Sequence, residues 1–213
     1  MNLAVIAYFF IAGLGMYILA YALVKNEKAA FLSAIIFMFN GFMHSFIIGA
    51  HINLLEGYSL IPFIFLFAYK ALKSPNWALY SISAGILFAL MILSGSLILF
   101  FYSGLMVGIY LLFNLIGKNF MSRALKSALV AVIIIGVAFG LSAVKLLPAI
   151  EFTKMSSRAG KVSFEEFLGH PVELKDLAGI ILTNIGYGGI SSAAGFVGIA
   201  LIAAGLLNYK RKI

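Results

Sequence analysis

The chain has no cysteine among its 213 residues. A disulfide framework, a thiolate metal site and a cysteine nucleophile are therefore excluded. Charge is also scarce, at 10% of residues, where an ordinary soluble domain has about a quarter. Acids number only seven. No positive residue precedes the first apolar run, which starts Met1-Asn2-Leu3-Ala4, so a cleaved signal peptide is not expected. A P-loop, a GxGxxG fold and an ordered Ser-His-Asp set are missing as well. Fixed-period repeats and low-complexity runs do not occur.

What is present is hydrophobic: 63% of residues, with a mean hydropathy of +1.10. A spanning helix needs about 20 mostly apolar residues, and seven such stretches can be drawn. The first is 3–24. The second, about 29–48, is interrupted by Asn40-Gly41 and His44. The third, about 54–72, carries Pro62 near its start, where a proline costs little. Residues 77–117 are too long for one span, and Ser94-Gly95-Ser96 divides them into two helices with a tight turn between. The sixth, 127–147, is expected to stop at Pro148, and the seventh covers 193–209. The expected fold is an all-α integral membrane bundle with three regions: six spans over 1–147, an amphipathic segment over 148–192, and a last helix with a basic tail over 193–213. In the middle region Ser163 and Glu166 form a capping box and Pro171 opens a second short helix, both suited to lying along the membrane surface.

The basic residues alternate between the two sides. Gaps one, three and five and the C-terminus carry Lys25, Lys28, Lys70, Lys73, Lys118, Arg123, Lys126, Lys210, Arg211 and Lys212, against Glu27 alone. The other side holds Lys145, Lys154, Arg158, Lys161 and Lys175 against Glu56, Glu151, Glu165, Glu166, Glu173 and Asp176. Short loops rich in Lys and Arg remain cytoplasmic. The N-terminus is thus expected outside and the C-terminus inside the cell membrane. A pI near 9.7 would ordinarily raise nucleic acid as a partner. Here the cations sit in loop ends, where they meet anionic lipid heads instead.

Three sets of residues carry possible chemistry. His44, His51 and Glu56 cluster about the first outer loop, as base, ligand pair or sugar-binding groups, or simply as polar side chains near water. Glu151, Lys154, Ser156, Ser157 and Arg158 follow Pro148, where Arg and Lys suit a lipid phosphate or plain headgroup anchoring. Gly104/Gly108 and Gly136/Gly140 are GxxxG motifs, read as packing within the bundle or as a dimerisation face.

Gly49-Ala50-His51, Leu54-Leu55, Ile61-Pro62-Phe63, Leu146-Leu147-Pro148, Glu151 and Ser156-Ser157-Arg158 together resemble motifs of YfhO-like membrane proteins of the GT-C glycosyltransferase superfamily. The resemblance implies transfer of a sugar from a polyprenyl-phosphate donor at the outer face, without a cofactor. His51 and Glu56 would act on the acceptor, while Glu151, Lys154, Ser157 and Arg158 would bind the donor. That family's catalytic acid lies in an outer loop absent from this chain, and Leu60 and Ser96 depart from its pattern. An upstream half or a partner membrane subunit is therefore expected. The other classes compatible with the sequence are a transporter or flippase of a lipid-linked or small polar substrate, and a non-catalytic scaffold.

The topology yields a direct expectation on this cysteine-free background. Single cysteines at 26, 75 and 120 resist a membrane-impermeant thiol reagent in intact cells, whereas those at 53 and 160 react. Outside labelling at 120 contradicts the seven-span arrangement.

Overall fold

The computed structural model describes residues 3–116 and 119–155, and every regular element among them is helical. They are α1 Leu3–Val24, α2 Glu27–Met38, α3 Gly41–Ile48, α4 Ile52–Lys73, α5 Trp77–Ser94, α6 Leu97–Phe113 and α7 Phe120–Met155. α1, α4, α5, α7 and the 27–47 stretch of α2 and α3 are each long and apolar enough to cross a membrane, and α6 is a shorter apolar helix. Large exposed side chains such as Phe10, Phe101 and Val132 coat the sides, as expected where lipid replaces water. The stretches 148–192 and 193–209 lie outside the described residues, apart from the end of α7.

Local chemistry accounts for each boundary. Asn26 caps α2 by accepting from the Ala29 N–H at 3.1 Å, after Lys25 turns the chain at φ 57°. Asn40 divides the second stretch: its Oδ1 accepts from the Met43 N–H and starts α3, while its Nδ2 donates to the Phe37 carbonyl and to the Tyr58 hydroxyl. Phe37, Phe42 and Phe46 pack around the Tyr58 ring. At the α5–α6 turn Gly95 adopts φ 90°, which lets the Gly95 and Ser96 N–H groups bond back to Ile92 and Met91. This is the Schellman arrangement, and it needs a residue tolerant of the left-handed region.

Two expectations about proline are corrected. α4 begins at Ile52, so Pro62 stands in its third turn, fully buried, rather than at its opening. α7 does not stop at Pro148 but continues to Met155. The carbonyl deprived of its N–H partner there belongs to Val144. Val144 and Pro148 are both exposed near the bundle's end, where the break in the ladder is least costly.

Laterally, α2 packs on α1, α1 on α4, α4 on α5 and α5 on α7, with α6 held only thinly by α4, α5 and α7. Two pairs run parallel, α1 with α4 and α5 with α7. Glycines make the close approaches: Gly15 faces the Phe63 ring, Gly57 faces Ser96, and Gly85 faces Val137 and the Ile134 carbonyl. The GxxxG glycines do not share this role. Among the described residues, Gly104, Gly108, Gly136 and Gly140 have no neighbour within 4 Å of a would-be Cβ, so these glycines do not bring the described helices together. The physical reason is that α6 lies off α7 along most of its length.

This contrast is measurable. A Cβ at 85 would lie 2.7 Å from the Val137 Cβ and 3.0 Å from the Ile134 carbonyl oxygen. Gly85→Val is expected to cost about 1–3 kcal/mol by overpacking, read as a lower Tm in detergent, whereas Gly104→Ala leaves the Tm unchanged or raised.

Candidate functional site

The helix termini divide the molecule into two unlike ends. At one end α1, α4 and α6 finish, and terminal carbonyls carry partial negative charge. Cations meet them there. Lys126 Nζ donates to the Leu72 carbonyl at 2.7 Å, and in the turn that follows α6 Arg123 Nη1 donates to the Ile116 carbonyl at 3.0 Å. Lys70 and Lys73 lie over the Tyr80 and Tyr69 rings at 5.4 and 4.4 Å. These residues belong to the basic side of the charge pattern.

At the opposite end α1, α4 and α6 begin, and a polar group assembles around those starts. Ser96, fully buried, donates from Oγ to the Asn53 carbonyl and lies 3.1 Å from the Ser94 hydroxyl, which joins the α5–α6 turn to the first turn of α4. Lys145 of α7 donates to the Leu93 carbonyl at 2.7 Å, capping α5 at the same level. Tyr8 of α1 reaches across to Glu56, with its hydroxyl 3.3 Å from Oε2. The residues at the N-cap positions of α4 and α6, His51 and Ser96, make no side-chain bond to their own first turns, and neither turn contains an acid. Two uncapped helix N-termini beside a lysine make this end favourable to an anion.

The expected site residues fall at different levels. His51 is exposed at the start of α4, with its ring against Gly49. Glu56 is half-buried one turn further along, about 140° around the helix from His51. Glu151 and Lys154 are exposed near the tip of α7, about 9 and 14 Å beyond Lys145 along the axis. Ser157 and Arg158 lie outside the described residues. His44 is exposed on α3. Among the described residues no three of His, Asp and Glu are placed to hold a metal ion. Tyr8, Asn53 and Ser96 were not legible as members of the cluster, since Tyr8 and Glu56 are 48 residues apart and nothing in their local sequence announces the pairing.

The Ser96 bond should matter more than a local serine bond. Ser96→Ala is expected to cost about 0.5–1.5 kcal/mol and to speed hydrogen exchange at the α5–α6 turn. Ser83→Ala, which removes only a bond to the carbonyl of Leu79 four residues back, should change neither.

Comparison with known proteins places the chain differently from the motif resemblance. No curated protein and no solved structure matches it. One family model does, over residues 1–209, described as a 6-pyruvoyl-tetrahydropterin synthase related domain and membrane protein. That match overturns the likeness to YfhO-like proteins of the GT-C superfamily. The motifs behind the likeness were short, and two of them sit in other surroundings than expected: Pro62 inside α4 and Pro148 inside α7. Over almost its whole length the chain belongs to the 6-pyruvoyl-tetrahydropterin synthase related family of membrane proteins.

Proposed function

We propose that this is a multi-pass protein of the cell membrane that binds the anionic head of a phosphate-bearing amphiphile at the end where α1, α4 and α6 begin. The observation that carries the reading is Lys145 beside two helix starts that no side chain caps. The Ile52 and Leu54 N–H groups of α4 already bond to the Ala50 and His51 carbonyls, so the α6 start supplies most of the N–H groups. Neither first turn holds an acid, and a helix start beside a cation favours phosphate. This end faces outward, because the opposite end carries the excess of Lys and Arg.

Each polar residue then has a role. Lys145 takes the phosphate at the level of the helix starts. Glu151 and Lys154 follow further out along α7, and with Ser157 and Arg158 they bind the rest of the headgroup. Glu56, held by Tyr8, and His51 accept hydrogen bonds from headgroup hydroxyls. Proton- or ion-coupled transport fits the described charges less well, because they lie at helix ends or one turn inside rather than at mid-membrane depth.

Tetradecyl phosphate and tetradecanol separate headgroup binding from tail binding. The native chain in detergent should bind the phosphate at least about tenfold more tightly. Lys145→Gln and Arg158→Ala should each remove most of that difference while binding of the alcohol is unchanged. Equal binding of the two ligands to the native chain contradicts the reading, as does a phosphate preference that survives both substitutions.

A further inference from the structure

The groove between α6 and α7 belongs to the other end of the molecule and stands independently of the reading above. Its wider part encloses about 580 Å³, and a narrower part of about 130 Å³ adjoins it. One wall is Gly104 and Gly108 of α6 with Leu115 just beyond its end, and the other is Ala124, Ser127 and Ala131 of α7. The groove exists because small residues face each other there. Among the described residues, Gly104 and Gly108 have no neighbour within 4 Å of a would-be Cβ. In a bilayer such a channel is filled, since an empty one forfeits dispersion contacts along both walls.

The basic end of the groove indicates what fills it. Arg123, Ser127 and Ala131 follow one another at four-residue spacing on one face of α7, so Arg123 stands at the mouth. Its Nη1 is held against the Ile116 carbonyl at 3.0 Å, next to the lining residue Leu115. Among the described residues only Nη1 of this guanidinium is engaged, and the side chain is exposed. Ser127 is joined to Asn114 at 3.0 Å, which ties the two helices together at this level. An apolar channel ending at an anchored arginine complements an acyl chain that ends in a negative head, and basic pockets between spanning helices bind anionic lipid heads. We infer that the α6–α7 groove is a binding site for an anionic phospholipid, with one acyl chain along Gly104 and Gly108 and its phosphate on Arg123.

The test uses tryptophan quenching by brominated lipids. On a Trp77→Phe background, Leu112→Trp places a reporter at the groove's rim and Phe10→Trp places a control on α1. The full chain is reconstituted in equal mixtures of phosphatidylglycerol and phosphatidylcholine, with one or the other brominated. At 112 the anionic lipid should quench about fivefold more effectively per molecule, with no such preference at 10. Arg123→Gln should abolish the preference and Arg123→Lys should retain most of it. Gly108→Leu, which fills the groove, should also remove it. Equal quenching by the two lipids at 112 overturns the site. So does an absence of quenching by either, which would mean that the chain's own last apolar stretch or a second copy fills the groove. A preference that persists in Gly108→Leu overturns the seating of the acyl chain.

Discussion

In hydrocarbon a helix satisfies its own backbone along its length but leaves N–H groups bare at its start and carbonyls bare at its end. The rest of this structure is organised around that constraint. Helices of alternating direction bring the starts of α1, α4 and α6 to one end and their finishes to the other. The finishes attract cations, and residues of the basic side of the charge pattern bond to carbonyls there. Lys126 thus caps the end of α4, and Arg123 holds the turn that follows α6.

The opposite end has a different balance. It also receives the finishes of α3 and α5, and Lys145 is spent in part on the α5 carbonyls. What is left over is positive: first turns without acids and without side-chain caps. Ser96 could have capped α6, yet its hydroxyl is committed to Asn53 in the neighbouring helix. That exchange of a local cap for a tertiary bond is what keeps the α6 start open. Glu56 sits slightly deeper and to one side, against Tyr8, so its charge does not cancel the helix starts directly.

How far the sequence could be read follows the range of the interactions involved. The breaks at Asn40-Gly41 and Ser94-Gly95-Ser96 depend on caps within a few residues, and both appear where composition indicated. Proline was less legible, because what Pro62 and Pro148 do depends on how far each helix extends. The glycines were legible only in part. A GxxxG spacing names a smooth face but not its partner, and the glycines that do bring helices together, Gly15, Gly57 and Gly85, stand outside any such motif. Likewise Glu56 could be singled out as an acid near a boundary, but its partner Tyr8 comes from a helix 48 residues away. The function was the hardest part, since short motifs at helix ends recur among membrane proteins whose families differ.

The central claim is that the end where α1, α4 and α6 begin is the headgroup-binding end. Photocrosslinking tests it most directly. A benzophenone side chain is placed at position 53 or at position 75, and the chain is exposed in nanodiscs to a radiolabelled alkyl phosphate. The account predicts crosslinking at 53 well above that at 75, suppressed by unlabelled alkyl phosphate and not by the matching alcohol. Equal labelling at both positions, or suppression by the alcohol alone, would contradict it.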